Sequence, residues 1–474
     1  MRRREGAAVW TQKDQVQAYQ FLRRRLVSAL VAGDANHPVS PSRRLLLGTV
    51  LGIAVALLVT AVFGIIGVLS PARAAEWKQG GQVIVEKETG ARFVLGEGDL
   101  LHPVLNFASA RLLAGGNGDR TVTVPAKTLA DLPRGATVGI AGAPDSLPET
   151  GRLLGGPWTT CSRGSADLPA NVEPGSSVSV GRAPGGRELR AGEGLLVRLA
   201  SGERFLLTGG HRFKLADERA VVALGYEPVR ALPVARNWLN TVPVGRDLAV
   251  VPLRQAGSPG PRLGTVDTRV GQVLQAEGVA DGFYVVRADG VAPVTETEAR
   301  LVLAAPGNAA AYPDRRARVL AVPAAELAEA PRAESPGERE PTGYPLRRPE
   351  PVSLGGLPGT VCASDFGATG AKLTYGDAAV SPSTVDDQGR VADVALVPGG
   401  AGALVADQPA PGASSGAVYL VTDAGVKFPV AGAESVQALG YGAVARRPVP
   451  AGVLALLRTG PVLDRAKAQE VVAR

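Results

Sequence analysis

One stretch of this chain has no polar period at all. Between Leu45 and Leu69, 25 consecutive residues carry no charge. Leu45-Leu46-Leu47, Ile53 through Val59 and Phe63 through Ile66 make it apolar on every side. A helix of ~20 such residues crosses the hydrocarbon core of a bilayer, and a helix satisfies its own backbone there. The run predicts a single transmembrane helix over 45–69, because no second run matches it.

Upstream the period is helical. Val16, Tyr19, Leu22, Leu26 and Leu30 recur three or four residues apart. Thr11 is placed to cap this helix with Asp14 three residues on, and Gly33-Asp34 end it. Arg23, Arg24 and Arg25 are expected mainly on its other faces, and His37-Pro38 through Pro41 form a short link to the membrane. Such a helix either lies on anionic lipid or docks a partner complex. Periodicity alone does not separate the two. The candidate docking residues are Tyr19, Phe21, Leu22, Arg23, Arg24, Arg25, Leu26 and Leu30.

Downstream the period shortens to two. Val83 to Leu95, Leu195 to Leu207, Phe283 to Val294 and Val418 to Val430 each read as strand, glycine turn, strand. The second and fourth share a later Ala-Leu-Gly-Tyr, at Ala223–Tyr226 and Ala438–Tyr441. Before it, Asp217 to Val222 and Ala433 to Gln437 read as helical turns. The expected unit is therefore a hairpin, a short helix and another strand. The turn glycines 90, 202, 290 and 425 lie 112, 88 and 135 residues apart, too irregular for a solenoid. Four small modules are expected, near 80–115, 192–235, 280–305 and 414–463. Residues 162–191 read as a linker, 329–360 with seven prolines as a mobile surface loop, and Asp464 to Arg474 as a final helix.

Charge sets the expected topology. Residues 1–44 hold eight Arg and one Lys against Glu5, Asp14 and Asp34, a net +6 out of +7 for the whole chain. The positive-inside rule puts this segment in the cytoplasm and residues 70–474 outside. A cleaved signal peptide is the competing reading, because Ala72-Arg73-Ala74 resembles a cleavage site. Signal peptides have a short n-region and an apolar core of about 7–15 residues. Here 44 residues precede a run of 25, so the anchor is expected to remain. The basic residues also lie away from any domain able to bind nucleic acid. They suit the cytoplasmic leaflet or a partner. With 60 Gly, 37 Pro and few aromatics among 474 residues, the exterior favours short strands and turns over a helical bundle.

Two cysteines, Cys161 and Cys362, fall on the outer side. In an oxidising compartment they most simply pair. The loop of about 200 residues would then contribute roughly 5 kcal/mol, less any strain. Two buried free thiols are the alternative.

Catalytic patterns are sparse. No Gly-Lys-Ser/Thr occurs, and Gly370-Ala371-Lys372-Leu373 lacks the second glycine and hydroxyl of a phosphate loop. No HExxH or CxxC exists. Gly412-Ala413-Ser414-Ser415-Gly416 matches G-x-S-x-G, but it follows Pro409-Ala410-Pro411 and precedes a strand, the reverse of a nucleophile elbow. His37, His102 and His211 are isolated, and carboxylates such as Asp99 and Glu193 read as solvated. Neither a metal site nor a catalytic residue is expected.

Several stretches together resemble a known family. They are Tyr19-Gln20-Phe21-Leu22-Arg23-Arg24-Arg25, Ala29 to Asp34, His102-Pro103-Val104-Leu105-Asn106-Phe107-Ala108-Ser109-Ala110-Arg111-Leu112, Gly139 to Pro144, Trp158-Thr159-Thr160-Cys161, and the position of Cys362. The chain resembles EccB, the single-pass membrane component of the actinobacterial type VII (ESX) secretion machine, over nearly its whole length. The resemblance implies a cytoplasmic N-terminus and an elongated, β-rich α+β ectodomain of four repeats around a central β core. It implies a disulfide linking distant parts. It implies partners: other membrane components including the FtsK-like ATPase EccC, and further copies of the ectodomain. The module fold of the family is likened to cell-wall-binding proteins. The family also carries an ATPase assignment, so ATP is implied by that label alone. Three functions follow as expectations: a scaffold of the secretion complex, an ATP hydrolase, or a stand-alone cell-wall-binding protein.

Overall fold

The computed structural model describes residues 11–33, 41–68, 77–115, 120–164, 172–333, 343–352, 359–376, 390–410, 413 and 416–472. The chain divides into two compact units, Met1–Gln79 and Gly80–Arg474. The described residues of the first form two helices, α1 (Gln12–Ala32) and α2 (Pro41–Val68), and the turn at 77–79.

The second unit uses one topology four times. In the first module, β1 (Val83–Glu86), β2 (Arg92–Leu95) and β3 (Leu101–Pro103) form an antiparallel meander. Helix α3 (Phe107–Ala114) crosses back, and β4 (Thr121–Val124) returns parallel beside β1. A short helix, α4 (Ala126–Leu129), follows. The chain then runs parallel to β3, where Leu101 bridges Arg134 and Val104 bridges Val138.

Half of a central sheet comes next: β5 (Trp158–Gly164), β6 (Gly175–Val180) and β7 (Arg187–Glu188). The second module is β8 (Glu193–Arg198), β9 (Arg204–Thr208), β10 (His211–Leu215), α5 (Glu218–Ala223), β11 (Leu232–Pro233) and α6 (Arg236–Leu239). The third is β12 (Val273–Ala276), β13 (Phe283–Val286), β14 (Val291–Val294), α7 (Glu296–Leu303), β15 (Val319–Val322) and α8 (Ala324–Glu329). Strand β16 (Glu350–Val352) then adds to the second module beside β8. The central sheet is completed by β17 (Gly359–Gly367), β18 (Gly370–Gly376) and β19 (Val394–Leu396), in the order β19-β6-β5-β17-β18-β7. The fourth module is β20 (Gly402–Gln408), β21 (Val418–Thr422), β22 (Val426–Val430), α9 (Gly432–Ala438), β23 (Arg447–Pro450) and α10 (Ala451–Leu454). It ends with β24 (Arg458–Thr459) parallel to β22, and α11 (Arg465–Ala468).

A recurring sequence makes the last corner of each module. Val124-Pro125-Ala126, Val322-Pro323-Ala324 and Val449-Pro450-Ala451 each end a parallel strand and open a helix. Proline has no N–H to continue a ladder, and its fixed φ suits a helix entry. Three residues after the alanine, Leu129, Leu327 and Leu454 are at most 2% exposed. The second module keeps the leucine, Leu239, but has Ala235 in place of the proline. Hydrophobic period alone does not reveal this signature.

Shared cores join the modules. Ala108 and Leu112 of α3 pack with Leu404, Leu420 and Leu439 of the fourth module. The other face of that module, through Val405 and Val421, meets Trp158, Val178 and Val180 of the central sheet. On β8, Leu195 and Val197 point to the central sheet, against Val361 and Leu373, while Leu196 points to α5. That is the period of two with both faces buried. Leu301 of α7 enters the α5 core and ties the third module to the second. The tail is stitched to the first module, with the Val472 N–H donating to the Thr137 carbonyl at 2.9 Å.

Three expectations are revised. The four hairpins are not equivalent. Val83–Leu95 and Leu195–Leu207 span the first and second strands of their modules, whereas Phe283–Val294 and Val418–Val430 span the second and third. Both turns of a meander carry glycine between apolar strands, so local pattern does not distinguish them. The third module therefore begins at Val273 and the fourth at Gly402, upstream of the expected 280 and 414. Residues 162–191 are not simply a linker, because β6 and β7 lie there. Within 329–360, residues 343–352 form a pinned strap ending in β16. Its Leu346 and Arg347 carbonyls accept from the Glu296 N–H and the Thr297 hydroxyl, each at 3.0 Å.

Candidate functional site: docking helix, membrane span and cystine core

Helix α1 is closed at both ends by its own sequence. The Asp14 carboxylate accepts from the Thr11 N–H at 3.0 Å and from the Thr11 hydroxyl at 2.5 Å. These bonds, the hydroxyl first, hold its pKa below the ordinary value. Gly33 stops the helix at φ 67°, where an L side chain would be strained. Tyr19, Phe21, Leu22, Leu26 and Leu30 are all exposed, Leu30 at 82%.

These candidate residues do not share one face. At 3.6 residues per turn, Tyr19, Leu22, Leu26 and Leu30 form a stripe with Val16. Arg23, seven residues after Val16, falls on the same side rather than on another face as expected. Phe21 points the opposite way, and its ring lies 6.0 Å from the guanidinium carbon of Arg25. Arg24 falls on the far side, with Phe21. The helix thus presents an apolar stripe with one arginine inside it, backed by a Phe21–Arg25 pair.

Helix α2 contains Leu46–Ile65, 20 residues long and apolar enough to cross a membrane. Within it Thr60 Oγ1 donates to the Ala56 carbonyl at 2.8 Å, the way a hydroxyl is satisfied where water is absent. The linker residues 34–40, His37 included, lie outside the described residues.

At the centre of the second unit, Cys161 of β5 and Cys362 of β17 sit directly opposite one another in antiparallel register and are joined by a disulfide, with Cα atoms 4.0 Å apart. The hydrogen bonds beside it are buried. Trp238 Nε1 donates to the Thr160 carbonyl at 3.0 Å, Thr160 Oγ1 meets Thr241 Oγ1 at 3.0 Å, and Thr241 Oγ1 donates to the Trp238 carbonyl at 2.8 Å. The staple and this network hold β5, β17 and α6 together.

The two described histidines are partnered locally. His102 Nδ1 meets the Ala136 carbonyl at 3.0 Å and His211 Nδ1 the Gly209 carbonyl at 2.9 Å. Among the described residues no group of His, Cys, Asp and Glu is arranged to hold a metal ion. Asp99 is exposed. Glu193 is not a lone solvated carboxylate. It accepts from the Arg190 N–H at 2.9 Å and from Arg187 at 3.1 Å, and these contacts, the Arg190 bond first, lower its pKa. Lys372 pairs with Glu188 at 3.0 Å. Ser414 lies outside the described residues.

Two clefts are large enough to compare with the triphosphate that the family label implies. The larger, ≈ 1010 Å³, lies between the second and third modules and includes the N-terminus of α7. Glu298 already places a carboxylate there, and the cleft's Arg347 is paired with Asp281 at 2.7 Å. The smaller, ≈ 480 Å³, has Arg254 and Arg287 in its lining but neither a glycine nor a helix N-terminus. A phosphate cradle is built from backbone N–H groups and dipoles. Neither cleft fits the triphosphate.

The comparisons with known proteins agree along the whole chain. The chain is 29% identical over 466 residues to the ESX-1 secretion system ATPase EccB1 of Mycobacterium tuberculosis, covering 96% of this chain and 93% of that protein. It is 28% identical over 484 residues to the ESX-5 secretion system ATPase EccB5 of the same species, covering 96% and 92%. Its fold matches a chain of an intact ESX-5 inner membrane complex with a TM-score of 0.65 at 26% identity, covering 99% of this chain and 97% of that one. A chain of the periplasmic assembly from the ESX-5 inner membrane complex matches with a TM-score of 0.58 at 25% identity, covering 83% and 96%. The family model described as type VII secretion system ESX-1, transport TM domain B, matches residues 8–472. The chain therefore belongs to the EccB family, a membrane component of type VII (ESX) secretion complexes.

Proposed function

We propose that this chain is the structural scaffold that anchors and organises a type VII secretion complex at the cell membrane, with α1 in the cytoplasm and residues 70–474 outside. The observation that carries this reading is the order of parts. A capped helix with an exposed apolar stripe precedes one apolar span, and a disulfide-stapled body of four modules follows it. The charge ahead of the span favours that orientation, and the periplasmic assembly containing a similar chain supports an extracytoplasmic body.

In this reading α1 docks other membrane components, an FtsK-like ATPase (EccC) among them, and copies of the ectodomain associate outside. No cofactor is needed. Deleting residues 11–33 should abolish co-purification with the membrane complex while leaving the chain in the membrane. Retention of the whole complex would overturn the docking role. Protease added to cells without their outer layers should digest residues 70–474 and spare α1.

The curated relatives are named ATPases. Absence of ATP turnover by the purified full-length chain above a denatured control would set that activity aside here. A stand-alone wall-binding protein would instead bind peptidoglycan without any secretion defect in a deletion strain.

A further inference from the structure

The larger cleft is lined by an acid that no described residue pairs with. Thr295 to Glu298 has the sequence of a capping box, and half of it forms, the Glu298 N–H donating to Thr295 Oγ1 at 3.1 Å. Among the described residues the Glu298 carboxylate makes no hydrogen bond or ion pair. The residue lines the cleft, although it is only 6% exposed. Burial raises its pKa, and Arg246 and Arg287 oppose that from beyond ion-pair distance. Arg246 is engaged with the Tyr344 ring at 4.5 Å.

The walls around it are largely apolar: Phe213, Pro293, Val294, Pro345 and Leu346. Leu346 is 80% exposed yet sits on a strap that is firmly held. Arg347 makes a bidentate pair with Asp281 at 2.8 and 2.7 Å, and the Pro349 carbonyl accepts from Tyr226 at 2.9 Å. The cleft is thus preformed. Because Arg347 and Asp281 pair with each other, Glu298 is the carboxylate in its lining left without an ion-pair partner among the described residues.

We infer that this cleft is a docking site for a protein segment that presents a lysine or arginine between apolar residues, the cation reaching Glu298 and the apolar flanks covering Phe213, Val294 and Leu346. The site is independent of α1 and of the membrane span.

The test uses the full-length chain in detergent and fluorescein-labelled seven-residue peptides, Val-Pro-Leu-X-Leu-Pro-Val, with X as Lys, Arg, Gln or Glu. Anisotropy should show the Lys and Arg peptides binding at least about tenfold tighter than the Gln peptide, with Glu weakest. Glu298→Gln should erase that preference while leaving the Gln peptide unchanged. Leu346→Asp, a change on the exposed rim that folding does not depend on, should weaken the Gln peptide. Equal binding of all four peptides, or an unchanged preference in Glu298→Gln, would overturn the inference. So would binding of a soluble muropeptide in place of every peptide. If Glu298→Gln does not fold, an unaltered Gln-peptide affinity in Leu346→Asp is enough to reject the site.

Discussion

Tyr226 and Tyr441 make the same bond in two different modules. Each ends an Ala-Leu-Gly-Tyr sequence, each is at most 2% exposed, and each donates its hydroxyl to a proline carbonyl far along the chain. The acceptors are Pro349 at 2.9 Å and Pro148 at 2.7 Å. Burial raises both phenol pKa values, so the hydroxyls stay protonated and donating. Tyr226→Phe and Tyr441→Phe each remove a donor and leave a buried carbonyl unmet. Each should cost about 1–2 kcal/mol, read as a lower urea midpoint with an unchanged slope. A neutral result in both would mean that the pairing is incidental to stability.

The Cys161–Cys362 bond, between residues 201 apart in sequence, closes about half of the second unit into one covalent loop. Closing so long a loop is worth roughly 5 kcal/mol in the chain-entropy picture. Protein nicked once between the two cysteines should run as a single species until reductant is added. Cys362→Ser should lower the thermal midpoint and speed proteolysis of the second unit. An identical midpoint with and without reductant would show that the staple adds nothing to the folded state.

What could be read from the sequence depended on which side chains fill each core. The membrane span was legible because 25 residues without charge have no other use. Helix α1 was legible through Thr11, Asp14 and Gly33, although the placement of Arg23 needed true helical geometry. The central sheet was not legible, because its buried face is made partly of hydroxyls. Thr159, Thr160, Ser162, Ser176, Ser177 and Ser179 are all at most 9% exposed. Short hydroxyl side chains fit between closely packed layers if they find partners. Thr160 does so with Thr241, and Ser162 accepts from the Ala235 N–H at 2.9 Å. A run of Ser, Thr and Gly with no apolar period therefore looked like a linker. Glu298 is not legible in the sequence for a different reason: its capping-box spacing explains it locally, and only the fold shows that its carboxylate does not close the box.

Glu203 is the most strongly held acid on the surface of the second module. It accepts from Lys214 at 2.9 Å, Ser201 at 3.0 Å and Arg236 at 3.3 Å, and these contacts, Lys214 first, bring its pKa from 4.5 to about 2. A lowered folded-state value means that the contribution to stability is complete above the unfolded pKa and is lost as pH falls toward about 2. The group is partly exposed, so solvent screens the effect. The thermal midpoint of the wild type should fall between pH 4.5 and 2 more steeply than that of Glu203→Gln. Parallel curves would mean that the three partners do not hold the carboxylate in solution.

The two faces of α1 make opposite predictions. Tyr19, Leu22, Leu26 and Leu30 form the exposed apolar stripe, whereas Phe21 is on the far side with Arg25 across its ring. A leucine fully buried on docking contributes about 1.5–3 kcal/mol. Leu26→Ala and Leu30→Ala should therefore each weaken retention of the membrane complex by tenfold or more, and the pair should abolish it. Phe21→Ala should leave retention near wild type. Arg23 lies within the stripe, so Arg23→Glu should disrupt docking more than Arg25→Glu, a difference that a simple attraction to anionic lipid would not produce. Co-purification from detergent extracts, scored against equal amounts of membrane-inserted chain, measures all of these. If Phe21→Ala proved as damaging as Leu26→Ala, the helix would be enclosed on every side, and a one-faced docking surface would be the wrong description of it.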